Sequence, residues 1–136
     1  RSVVTQKDLE LVANYLENTT LNSCDFEYTI SMCREGDFLF LDPPYSPGQE
    51  ELFHSHYAYG KFSYVDQVRL SKSLENATRR GVRWLMTNSA HTRISELYPN
   101  TYQYKLKKGT GRKIGQISDN PEEMVITNFR NWDDAL

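Results

Sequence analysis

Apolar and polar positions along this chain follow two alternating rhythms. Leu9, Val12, Ala13 and Leu16 recur at helical spacing behind Thr5 and Asp8, a pair three residues apart that reads as a capping box. A short helix is expected over residues 26–34, stopped by Gly36. The all-apolar run Phe38, Leu39, Phe40, Leu41 then reads as a strand buried on both faces. Ser63 and Asp66 open a second long helix carrying Val65, Val68, Leu74 and Ala77, and Gly81 closes it. Residues 82–87 form the next buried strand, and a short helix over 92–98 ends before Pro99. Tyr102, Tyr104 and Leu106 alternate with polar residues, and 124–129 is again apolar, so the chain is expected to finish as a hairpin. Strands separated by helices predict an α/β fold. The expected form is a partial doubly wound, Rossmann-like sheet, mostly parallel, with an antiparallel edge strand.

Composition narrows the class without deciding it. The 136 residues suit one domain, and a formal net charge of -2 announces neither a nucleic-acid nor a membrane partner. No stretch reaches membrane-span length and residues 1–20 show no charged-then-apolar signal pattern, so a soluble cytoplasmic protein is expected. Cys24 and Cys33 lack metal or redox spacing and read as two small core hydrophobes, while none of the three histidines has a convincing metal partner. Arg79 and Arg80 read as last-turn residues complementing a helix dipole, and Trp84 and Trp132 as packing residues.

The word Asp42-Pro43-Pro44-Tyr45 follows the first apolar strand directly. In open α/β sheets ligands gather outside the carboxyl ends of the strands, which is where this word falls. Each proline fixes its own φ and lacks an N–H, so the Asp42 carboxylate and the Pro43 carbonyl become two preset acceptors, with the flat face of Tyr45 beside them. Two acceptors and a ring form a receptor for a planar group bearing an NH2, such as an adenine or a cytosine turned out of its stack. Gripping both amine hydrogens favours a pyramidal nitrogen with its lone pair aimed outward, ready to attack a methyl donor held in line. The competing reading is a strand ending in a proline turn that Asp42 merely caps.

Three other segments carry candidate chemistry. Lys105, Lys107, Lys108, Arg112 and Lys113 cluster in "KLKKGTGRK" without an acid, a composition that suits a phosphate backbone or a solvated hairpin tip. Phe53, His54, His56, Tyr57, Tyr59, Lys61 and Phe62 crowd one loop, suited either to stacking on a displaced base or to packing. Asn88 follows a buried strand and reads equally as lining the same cleft as Asp42 or as a turn or cap.

In this order and spacing the chain resembles the alpha-group DNA adenine methyltransferases of the Dam type. "GDFLFLDPPY" is similar to that family's catalytic motif IV, "LFHSHYAYGKFSYVDQVRLSKSL" to its aromatic loop and following helix, and "VRWLMTNSAHTRISELY" to its strand, Asn-Ser and short helix. "KLKKGTGRKIG" is similar to the basic turn that precedes "EEMVITNF". The resemblance implies that Asp42, Pro43, Pro44 and Tyr45 hold and methylate a flipped adenine. It further implies that Asp42, with Asp25 and Phe26 of "CDF", lies beside S-adenosylmethionine. Tyr57 and the five basic residues would contact double-stranded DNA.

Residues 1–136 would then be the C-terminal part of a methyltransferase catalytic domain. The family's F-x-G-x-G cofactor loop, its lysine motif and its target-recognition domain find no counterpart. Gly109-Thr110-Gly111 opens no apparent helix and is rejected as that loop. Such a part is expected to expose a sheet edge or an apolar face, covered by self-association or by a partner chain. An RNA adenine methyltransferase and a non-catalytic DNA-binding derivative are the alternatives.

Overall fold

The computed structural model describes residues 4–44, 62–106 and 123–130. Tyr45, residues 53–61 of the aromatic loop, Lys107, Lys108, Arg112, Lys113 and Trp132 lie outside them. Both capping boxes form. Thr5 opens α1 (Gln6–Leu16) with its backbone N–H donating to Asp8 at 2.9 Å, and Ser63 opens α3 (Tyr64–Arg79) by the same exchange with Asp66. Between them lie α2 (Phe26–Met32) and strand β1 (Phe38–Leu41). Strand β2 (Arg83–Ser89), helix α4 (Thr92–Ser95) and strands β3 (Tyr102–Leu106) and β4 (Glu123–Thr127) follow. Gly81, at φ +81°, turns the chain out of α3 in the left-handed region, where a side chain is strained.

The strand order is β1-β2-β4-β3. β1 and β2 are parallel and joined through α3, while β4 runs antiparallel to both β2 and β3. Three of the four strands therefore point one way. The reversed strand, expected at an edge, sits one place in, because the hairpin β3–β4 inserts its second strand beside β2.

Register explains which residues are buried. Leu39, Leu41, Trp84, Met86, Met124 and Ile126 share one sheet face, paired as Leu39 with Trp84, Leu41 with Met86 and Met86 with Ile126. Against this face α3 lays Leu70, Leu74 and Ala77, spaced by four and three residues, and α2 adds Ile30. Arg80 ties the helices together by donating to the Ile30 carbonyl at 2.8 Å and the Cys33 carbonyl at 3.3 Å, so it caps α2 rather than serving only its own helix.

Four sequence expectations are corrected by this packing. The stripe Leu9, Val12 and Leu16 is 61, 53 and 42 % exposed, and no residue of α1 is buried. β1 is not covered on both faces, since it is the edge strand and Phe40 remains 69 % exposed on the face away from the core. Val65 points outward, because the side of α3 that meets the sheet runs through Leu70, Leu74 and Ala77. Cys24 is exposed and Cys33 only half-buried, since both flank a short helix that covers only the edge of the core; burial raises the Cys33 thiol pKa.

Candidate active site

Asp42 continues β1 past its last paired residue, so alternation sends its side chain to the face opposite Leu41. Thr87 of β2 points to that same face, and its hydroxyl donates to Asp42 Oδ1 at 2.7 Å. One carboxylate oxygen is thereby fixed. Among the described residues the other accepts no hydrogen bond.

Pro44 is held from the other side of the sheet. Gln67 of α3 donates from Nε2 to the Pro44 carbonyl at 3.1 Å, and Asn88 of β2 donates from Nδ2 to Gln67 Oε1 at 3.0 Å. Asn88 is fully buried, so it does not line the cleft beside Asp42; it supports the motif through Gln67.

A cleft of about 660 Å³ opens next to the motif. Its walls bring together Asp25, Phe26, Phe62, Asp42, Pro43 and Pro44, residues from three separate parts of the sequence. Phe26 and Phe62 meet with ring centroids 5.7 Å apart. Leu39, Ile30 and Leu70 make the floor apolar, while Asp25 and Asp66 place carboxylates at its rim. An apolar floor with an aromatic ring suits a flat heterocycle, and the rim carboxylates, ion-paired to Arg69, keep lone pairs for hydroxyls. Those residues fit a nucleoside.

Arg69 organises the rim. Its guanidinium donates to Asp25 at 3.0 Å, Glu27 at 2.9 Å and Asp66 at 2.9 Å, and lies 4.9 Å from the centre of the Phe26 ring. The three acids raise the pKa of Arg69. Asp25 is held below its usual 3.8 by the Glu27 N–H at the start of α2 and then by Arg69, and Asp66 by the backbone and hydroxyl of Ser63 and then by Arg69. Since both carboxyl pKa values are lower folded than unfolded, their contribution to stability is complete above about pH 4 and is lost as pH falls through the lowered values. Melting temperature should therefore drop as acid is added below that point, and Arg69→Met should make the drop shallower. Equal slopes would show that Arg69 contributes nothing to this effect.

Asp25, Phe26, Asp42, Pro43 and Pro44, expected from the sequence to share a site, all line one cleft. Lys105 lies exposed on β3 and is not among the residues that line it. Thr87, Gln67 and Arg69 escaped the sequence reading. Gln67 carried the clearest signal, since a polar residue stands on the stripe that continues as Leu70, Leu74 and Ala77, where an apolar one is the rule.

Comparison with known proteins bears on this site. The family profile described as D12 class N6 adenine-specific DNA methyltransferase matches residues 1–112. The chain is 32 % identical over 136 residues to a "Type II methyltransferase M1.LlaDCHI" of Lactococcus lactis subsp. cremoris, covering 95 % of this chain and 46 % of that protein. It is 28 % identical over 129 residues to the "Retron Ec67 DNA adenine methylase" of Escherichia coli, covering 93 % and 44 %. A 74-residue stretch, 54 % of this chain, is 40 % identical to 10 % of the "DNA N-6-adenine-methyltransferase" of Escherichia phage P1. The chain spans about half the length of the first and second of these relatives.

Proposed function

Because the chain belongs to the D12 class N6 adenine-specific DNA methyltransferase family, we propose that residues 1–136 are the C-terminal part of a catalytic domain that methylates the exocyclic amine of an adenine in double-stranded DNA. The observation that carries the reading is Asp42 at the end of β1. Thr87 holds one of its oxygens, and it stands beside a cleft lined by Asp25 and Phe26. S-adenosylmethionine, the methyl donor we assign to that cleft, supplies when bound a carbon on a positively charged sulfur. Phe26 would face its heterocycle and Asp25 its hydroxyls, with Asp42 between donor and acceptor.

The chain's own residues then act on the adenine. Asp42 and the Pro43 carbonyl accept the two amine hydrogens and draw the nitrogen lone pair out of the ring. The donor held beside Phe26 and Asp25 would supply the methyl carbon to that nitrogen and would keep the electrons of its carbon–sulfur bond. The amine becomes cationic, Asp42 stabilises the charge, and a proton is lost to solvent. Tyr45 would stack on the extruded base. Tyr57 would enter or stack within the opened duplex, and Lys105, Lys107, Lys108, Arg112 and Lys113 would meet phosphates.

The remainder of the catalytic domain, including a glycine-bearing cofactor loop and a target-recognition segment, would come from further polypeptide or from a partner chain. An enzyme of this kind works beside its DNA in the cytoplasm. No helix among the described residues is long and apolar enough to cross a membrane.

The test is transfer of label from S-adenosylmethionine by the assembled enzyme. Label in N6-methyladenine of duplex DNA is the expected result. Label in RNA adenines instead would move the acceptor, and duplex binding without any transfer would leave only a non-catalytic DNA-binding role.

A further inference from the structure

Thr87 and Asn88 are consecutive in β2, so they point to opposite faces of the sheet, and each leads back to the same three-residue stretch. Thr87 reaches Asp42 directly, whereas Asn88 reaches Pro44 through Gln67. Both amides are fully buried, at 0 % exposure, so every polar atom on them must find a partner within the protein.

The direction of this relay is forced. The Ser89 N–H donates to Asn88 Oδ1 at 2.8 Å, which leaves Asn88 Nδ2 facing Gln67. Gln67 must therefore present Oε1 to Asn88 and Nε2 to Pro44. A carbonyl can only accept, so the relay ends at Pro44 in a complementary pair. Turning either amide over would set two acceptors or two donors against each other at a buried site. Apolar residues at both Gln67 and Asn88 would have continued the core beside Leu70 and Leu74 with no buried amide to desolvate, so stability alone does not account for the pair.

We infer that Gln67, oriented by Asn88, is a positioning residue for methyl transfer: it pins the Pro44 carbonyl and so fixes the angle at which Asp42 and the Pro43 carbonyl meet the amine. This inference rests on the reading of Asp42 and Pro43 as the amine's acceptors. Gln67 holds this stretch by its backbone at Pro44 and Thr87 holds it by the side chain of Asp42, so both ends resist rotation away from the base. The effect belongs to the reacting geometry, because Gln67 itself touches neither base nor cofactor in this assignment.

Gln67→Met is the informative variant in the assembled enzyme. It nearly keeps the length and volume of the side chain, yet it has no donor for Pro44. The single-turnover rate at saturating DNA and cofactor should fall by about 10- to 100-fold, the scale of a displacement near 1 Å at a reacting centre. Dissociation constants for DNA and S-adenosylmethionine should stay within about threefold, since neither ligand meets Gln67. A rate within about threefold of wild type would overturn the inference, as would a loss that merely follows weaker ligand binding.

If the variant does not fold, hydrogen exchange of 15N-labelled glutamine side chains in the wild-type assembly decides instead. The Gln67 amide protons should exchange on the order of 100-fold more slowly than those of exposed Gln6, and exchange as fast as Gln6 would show that no bond to Pro44 exists. The exchange result does not depend on turnover. An enzyme that methylates nothing yet protects Gln67 would therefore refute the proposed function and not the brace.

Discussion

Asp42→Ala should reduce methyl transfer by the assembled enzyme by at least about 10²- to 10³-fold, the scale seen when one preorganised group at a transition state is removed. The carboxylate has two tasks in the proposed reaction. It grips one amine hydrogen before the step, and it lies beside the positive charge that develops on nitrogen during the step. Alanine removes both, and water admitted to the vacated space solvates the amine without fixing its direction. Duplex binding should change by no more than about threefold, because it rests chiefly on phosphate contacts made elsewhere. Thr87→Val offers a graded companion. It removes only the hydroxyl that holds Asp42 Oδ1 at 2.7 Å, so its loss should be smaller than that of Asp42→Ala. Single-turnover transfer of labelled methyl groups measures both, and an Asp42→Ala rate within a few-fold of wild type would remove Asp42 from the chemistry.

Trp84→Ala should bring the largest loss of stability, about 3–5 kcal/mol. Trp84 is 2 % exposed near the start of β2, its ring centroid lies 6.0 Å from that of Tyr98, and its indole N–H donates to the Thr78 hydroxyl at 2.9 Å. It therefore joins sheet, α3 and the segment after α4 in one contact. The cavity left by alanine is bordered by well-anchored groups that cannot collapse into it, since Asn128 also holds the Trp84 N–H at 2.9 Å and the Val82 carbonyl at 2.9 Å. Domains of this size have only about 5–15 kcal/mol to lose, so the melting temperature should fall by roughly 10 °C or more. Trp84→Phe should lose less, keeping a ring but not the indole bond. A change below about 1 kcal/mol in urea unfolding for Trp84→Ala would show that this face is far more plastic than its packing indicates.

The Arg69 cluster has a different physical character from the Gln67 relay. Arg69 and its three acids sit at a partly solvated rim, where water and salt share the work of balancing charge. Gln67 and Asn88 are sealed from water, so their geometry is set by the protein alone. The rim can adjust to whichever ligand enters the cleft, while the buried relay keeps the Asp42–Pro44 stretch in one orientation.

What the sequence determined by itself was local. Thr5 with Asp8 and Ser63 with Asp66 announced two helix starts because a capping box is made within four residues, and Gly81 announced a helix end because the left-handed turn it adopts strains any residue with a side chain. The four apolar residues before Asp42 marked a strand, and the two prolines marked a rigid end to it, since both properties belong to the residues themselves. Only the tertiary structure decided what those elements face. A helical stripe such as Leu9, Val12 and Leu16 states that a surface is apolar and not what covers it, and here nothing among the described residues does. Phe40 alternates away from the core by the pleat of β1, and it is exposed because nothing among the described residues covers that face of the edge strand. The partners of the motif lie 23 and 45 residues away, at Gln67 and Thr87, and no local spacing encodes such distances. They meet Asp42 and Pro44 because the parallel pairing of β1 with β2 sets the register, and α3, crossing between those strands, returns its first turn to the end of β1.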